Sequence, residues 1–134
     1  MIDIENEVFT KVEGKLRSKY SSIYITGEYN PAPSTFPAVS LIEEDNYEDR
    51  RYRDSSGEEK YAGVMYEVNV YSNLQTGRKS QAKEIMKIIS DEMKAIGMTR
   101  TYKRPIPNKA DTSIYRIIAR FSAGVDQNKN IYDL

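Results

Sequence analysis

From Tyr61 to Gly97 the chain reads YAGVMYEVNVYSNLQTGRKSQAKEIMKIISDEMKAIG, and within it a period of two gives way to a helical period across a glycine-containing turn. Ala62, Val64, Tyr66, Val68 and Val70 alternate with Gly63, Met65, Glu67, Asn69 and Tyr71, the pattern of a strand buried on one face. The other face is mixed and free to meet a partner. After SNLQTG, the residues Ala82, Ile85, Met86, Ile89, Met93 and Ile96 recur at steps of three and four. Gly97 supplies a residue able to take the left-handed conformation that ends a helix. A strand running into an amphipathic helix of about five turns is the expectation.

The flanking sequence extends this pattern. Ile4, Val8, Val12 and Leu16 step by four with Phe9 beside them, which predicts a helix over residues 3 to 19, with Asp3 placed to cap it and Gly14 as a mildly unfavourable interior residue. Ser21 and Ser22 end that helix, and a short strand follows through Ile23 and Ile25. NPAPSTFPA, with prolines at 31, 33 and 37, reads as an extended surface loop. Residues 38 to 53 and 61 to 72 are expected to pair as a long antiparallel hairpin. Its charged tip, Tyr47 to Lys60, cannot enter a core and is expected to project. MTRTYKR gives another short strand, with Met98, Arg100 and Tyr102 alternating against Thr99, Thr101 and Lys103, ended by PIPN. Residues 113 to 125 alternate as a strand, although Ile114, Ile117, Ile118 and Phe121 also suit a helix. The expected fold is α+β, a largely antiparallel sheet with two helices on one face and a projecting hairpin. It occupies residues 1 to 126 as a single domain, followed by a polar tail, 127 to 134, that orders only on binding.

Composition then narrows the function. In 134 residues there is neither cysteine nor histidine, which removes disulfides, thiolate metal sites and the commonest general base and metal ligand. The 20 basic and 20 acidic residues cancel, so no global field draws the chain to nucleic acid or an anionic membrane. No apolar run is long enough to span a membrane and the N-terminus is acidic, so folding in a cytoplasm is expected. Glu43, Glu44 and Asp45, with Glu48 and Asp49, form a carboxylate cluster that reads as a solvated face rather than a metal site. Arg50, Arg51 and Arg53, interleaved with Tyr47 and Tyr52, are the best nucleic-acid candidate, weakened by acidic neighbours on both sides. Gly77, Arg78, Lys79 and Ser80 lack the spacing of a phosphate loop and read as a helix start with Thr76 or Ser80 assisting the cap. No catalytic site, metal site or cofactor site is legible.

Eleven tyrosines against three phenylalanines and no tryptophan are the compositional oddity. Tyr66 and Tyr115 suit core positions with their hydroxyls at its edge. Tyr71, Tyr102 and Tyr132 are expected on outward faces or in the tail, where tyrosine buries much area at low entropy cost.

Several segments together carry a family resemblance: MIDIENEVFTKV, TGEYNPAPSTFPAVSLIEEDN, the DSSG turn, VMYEVNVYSN followed by GRKS, GMTRTYKRPIPN and IYRIIARF. In order and spacing, over nearly the whole chain, they resemble tail terminator, or tail completion, proteins of phages and prophages of Firmicutes. The resemblance implies a structural virion protein, made in the host cytoplasm and located at the tail neck. Such proteins form a hexameric ring on the tail tube, stop its polymerisation and present the surface to which the head joins. Implied partners are further copies of the chain, the tail tube protein and head-tail connector proteins, with DNA passing through the lumen unread and no cofactor. Candidate contact residues are Tyr47, Arg50, Arg51, Arg53, Glu58, Glu59 and Lys60 in the hairpin tip, Tyr71 and Asn73, Arg100 and Tyr102, and Ile131 and Tyr132. The rival readings are another neck or head-completion protein and a small nucleic-acid-binding module.

Overall fold

The computed structural model describes residues 1 to 30, 32 to 49, 60 to 109 and 111 to 132. In chain order these form α1 (Glu5–Lys19), β1 (Tyr24–Thr26), β2 (Ala38–Glu48), β3 (Tyr61–Ser72), α2 (Arg78–Ile96), β4 (Thr99–Ile106), β5 (Tyr115–Asp126) and β6 (Ile131–Tyr132). The expected α+β class is the observed one. Six strands make one sheet in the order β1-β2-β3-β5-β4, with β6 also paired to β5. Among the described residues only the β1 to β2 pairing is parallel.

β3 and β5 make the spine of the sheet, paired without interruption from Tyr61 opposite Asp126 to Ser72 opposite Tyr115. This settles the segment as strand from Tyr115 to Asp126, with residues 113 and 114 in the turn before it. Alternation along β5 sends Ile117, Ala119, Phe121, Ala123 and Val125 to the same side as Val64, Tyr66, Val68 and Val70 of β3, and all are buried. Val8, Val12 and Leu16 of α1 and Ile85, Met86, Ile89 and Met93 of α2 close over that side. Each such side chain stabilises the fold by roughly 1.5 to 3 kcal/mol through area removed from water.

The helix ends differ from expectation in instructive ways. α1 begins at Glu5 rather than at residue 3, because Ile2 and Ile4 are drawn into the core and Ile4 keeps a non-helical φ of -118°. Asp3 still assists: its Oδ1 accepts the Glu5 backbone N–H at 3.0 Å. At the start of α2 neither Thr76 nor Ser80 caps. Gly77 holds the position with φ 85°, and no side chain bonds the first turn. Ser72 instead donates to Gln81 Oε1 at 2.6 Å, tying the end of β3 to the helix. Gly97 ends α2 as expected, at φ 113°, and the Met98 N–H returns to the Met93 carbonyl at 2.9 Å.

The polar tail is not a dangling segment. Asp126 Oδ1 accepts the N–H groups of Asn128 and Asn130, both at 2.9 Å, folding DQNKN into a turn. Lys129 reaches Glu7 of α1 at 2.5 Å. Ile131 and Tyr132 then pair with Val125 and Gly124, continuing the β5 edge where β4 leaves off. The expectation that this tail orders only on assembly is therefore overturned through residue 132. Asparagine and aspartate there build a turn and do not signal disorder.

A cross-helix cluster joins α1 to α2. Glu84 accepts from Lys19 Nζ and, at 2.7 Å, from the Tyr20 hydroxyl. The lysine bond, then the tyrosine bond, holds the Glu84 carboxyl below its ordinary value, while burial and that bond push the Tyr20 phenol up to about 12. A depressed carboxyl contributes stability above its unfolded value, and that contribution is lost as pH falls through the folded one. Denaturant titrations between about pH 5 and about pH 3 should show a falling midpoint, with a shallower fall in Glu84→Gln. Gly97→Ala should cost about 1 to 2 kcal/mol by the same assay, since an L residue is strained at that φ and its Cβ would sit 3.1 Å from Ile131 Cγ2.

Candidate assembly surface on the helix-free face

Among the described residues the opposite side of the sheet carries no helix, and its composition follows from register. β3 presents Tyr61, Gly63, Met65, Glu67, Asn69 and Tyr71 there, and β5 presents Arg116, Ile118, Arg120, Ser122 and Gly124. Two bulges decide what the neighbouring strands add. In β2 the register shifts between Glu43 and Asp45, and this turns Tyr47 onto the helix-free face opposite Gly63. In β4 it shifts between Arg100 and Tyr102, so Tyr102 lies opposite Arg120 on the helix-free face while Arg100 lies opposite Phe121 on the helix side. Plain alternation along β4 put Arg100 and Tyr102 together; one extra residue separates them. The strand also continues through Pro105 and Ile106, past its expected end, which an edge strand tolerates because an outward position needs no donor.

Six tyrosines thus share this face: Tyr24, Tyr47, Tyr61, Tyr71, Tyr102 and Tyr132. They are placed by specific contacts. The Tyr47 ring lies over Gly63 and the Tyr132 ring over Gly124, so closely that a Cβ built at either glycine would come within 2.2 Å and 2.5 Å of ring atoms. Gly63 and Gly124 are cross-strand partners, so two rings lean inward over one glycine pair. Tyr132 also meets Tyr61 edge to face, with centroids 5.8 Å apart.

Arginines fill the middle of the face, and each is engaged. Arg116 Nε donates to Asn69 Oδ1 at 2.9 Å, with its guanidinium 5.5 Å from the Tyr71 ring centroid. Arg120 donates to Glu67 Oε2 at 3.2 Å and lies 5.0 Å from the Tyr102 centroid, over which Arg104 also sits at 5.5 Å. Nothing in the sequence singled out Arg104, Arg116, Arg120 or Glu67. The outward alternation of β5 was visible, but the strands that would flank it were not.

The candidate contact residues separate accordingly. Tyr47, Tyr102 and Tyr132 lie on the helix-free face, with Tyr47 48% exposed. Tyr71 is on the expected face but is 1% exposed, so it is part of a packed end of the sheet and offers no free surface. Arg100 borders a groove of about 420 Å³ between α2 and β4 with Lys83, Lys87 and Lys103. Ile131 packs against the core beside Gly97, and Asn73 is exposed in the turn after β3. Lys60 immediately precedes β3, whereas Arg50, Arg51, Arg53, Glu58 and Glu59 lie outside the described residues.

On the helix side, the β2 bulge holds a polar knot. The buried Tyr66 hydroxyl donates to Glu43 Oε2 at 2.7 Å, and Asn46 Nδ2 bridges Glu43 Oε1 and the Ile2 carbonyl. Burial and that bond push the Tyr66 phenol far up. No group of three or more acidic side chains among the described residues is placed to hold a metal ion, and no described helix is long and apolar enough to cross a membrane. At the packed end, Tyr71 Oη and Ser40 Oγ are buried without a protein hydrogen-bond partner among the described residues. Burying an unpaired hydroxyl is costly. Tyr71→Phe should therefore raise the isolated subunit's unfolding free energy by about 1 kcal/mol, measured by denaturant titration, and a loss of stability would mean that the hydroxyl is satisfied.

No family model matches the chain, and no curated protein matches it in sequence. Among solved structures, the chain is similar to the sheath/tube terminator of an extracellular contractile injection system, PVC, seen by cryo-EM in the extended state. The likeness has a TM-score of 0.50 at 12% identity and covers 100% of this chain and 60% of that one. At such identity the shared property is the fold, and the chain spans about three fifths of the other protein's length.

Proposed function

We propose that the protein is a tail terminator: a structural subunit that assembles, as a hexameric ring, on the last ring of tail tube protein, stops its polymerisation and offers the surface to which the head joins. The observation that carries this reading is the fold, because the whole chain superposes on a protein described as a sheath/tube terminator. The sequence resemblance to tail terminators of Firmicutes phages and prophages points the same way. A protein of this kind acts by contact, at the tail neck of a particle, after folding in the host cytoplasm. Its partners are other copies of itself, the tube protein and a neck or connector protein.

The geometry suits such a part. β2 and β3 run the length of the sheet, so Tyr47, Glu48, Asp49 and Lys60 lie at one end and residues 73 to 77 at the other. In a ring whose strands run along the axis, one end meets the tube and the other meets the neck. The nucleic-acid reading is disfavoured in the middle of the sheet, where Arg116 and Arg120 lie over tyrosine rings and donate to Asn69 and Glu67 instead of being presented to phosphates. DNA would pass such a lumen without being trapped.

Deleting Tyr47 to Lys60 should give particles with tubes of uncontrolled length and no joined heads, scored by negative-stain electron microscopy. Normal-length tails joined to heads would show that the arm makes no essential contact.

A further inference from the structure

We propose that the ring closes by sheet extension, the basic free edge of β4 in one copy pairing with the acidic free edge of β2 in the next. This rests on the ring reading above and names the surfaces that would form it. Among the described residues, β4 ends the sheet and pairs only with β5. At the other end β1 pairs with Ala38 to Ser40 alone, so among the described residues β2 from Leu41 to Tyr47 has β3 as its single partner strand. That stretch nearly matches the 8 residues of β4 in length. Both strands therefore present main-chain donors and acceptors along one side.

Their charges are opposite. β4 carries Arg100, Lys103 and Arg104, all exposed, and the β2 stretch carries Glu44 and Asp45, both exposed, while Glu43 is turned to the helix side and bonded to Tyr66 and Asn46. Charged side chains ordinarily keep an edge strand from pairing. Here that protection holds between like edges only, because a β4 edge repels another β4 edge and attracts a β2 edge. The pattern excludes a two-fold contact and selects a head-to-tail one, the kind that generates rings. Strand direction agrees: β2, β3, β5 and β4 are successively antiparallel. A further copy in the same orientation thus sets its β2 antiparallel to β4 with the helix sides aligned. Register then puts Arg104 on the same side as Asp45. A net charge of zero is what a chain with one acidic and one basic edge would show.

The test reverses one edge at a time. Glu44→Lys/Asp45→Lys reverses the exposed charge at the β2 bulge, and Arg100→Glu/Lys103→Glu leaves β4 with a net negative charge. In sedimentation velocity each alone should fall from the ring to the 15.4 kDa monomer, and an equimolar mixture should regain the ring, with the two variants alternating. Recovery on mixing also shows that both variants fold. Wild-type assembly should weaken as salt rises from about 50 mM to about 500 mM, because exposed charges are then screened. If either variant alone keeps the wild-type ring, if folded variants fail to reassemble on mixing, or if assembly ignores salt, the edge pairing is wrong and the ring stands. A wild-type protein that remains monomeric at every concentration overturns the ring and the pairing together.

Discussion

The fold depends on the unbroken pairing of β3 with β5. Twelve residues of β3 face twelve of β5 with no bulge, so the alternation of one strand is locked to that of the other. A slip of one residue would exchange Val64, Tyr66, Val68 and Val70 for Gly63, Met65, Glu67 and Asn69 beneath the helices. The irregularity of the sheet is confined to the outer strands. A rigid centre lets β2 and β4 each carry an extra residue without disturbing the core.

Those two extra residues mark the limit of what the sequence could tell. Within β3 and α2, periods of 2 and 3.6 identify the buried set directly, and the ends of α2 follow from its glycines. A bulge leaves no such trace. Glu43 to Tyr47 and Arg100 to Tyr102 read as ordinary alternation, yet the pairing places Tyr47 and Tyr102 on the helix-free face and Arg100 beside α2. Tyr71 fails for a different reason: its face was legible, but its neighbours there include Arg116, which is distant in sequence and adjacent through the spine. The tail was misread because asparagine and aspartate serve both disordered segments and tight turns. Only the contact of Ile131 with Gly97 and the pairing with β5 decide between them.

The tyrosine excess acquires a physical sense from the same pairing. Tyr47 and Tyr132 stand on strands that flank β3 and β5, and Gly63 and Gly124 leave room for their rings. The glycines alone would be weak points in a sheet, with no side chain to pack. The tyrosines alone would lie loose on the surface. Together they give a face that is flat, aromatic and preorganised, so a partner docking there would not bear the entropy of ordering those side chains.

Charge shows most plainly why totals mislead. Summed over the chain it is zero, and on that basis the protein has no electrostatic character. Resolved by strand it is polar: acids gather on the outer half of β2 and cations on β4, at opposite margins of one sheet. Between the margins, Glu67 with Arg120 and Glu84 with Lys19 are already neutralised within the subunit. Such pairs contribute little to stability at an exposed surface, but they remove charge from the faces and leave it at the rims. An assembly subunit needs that arrangement. Under the proposed edge pairing, opposite rims would set the orientation of a neighbour before contact, while main-chain pairing along the two outer strands would supply the area that charge alone does not.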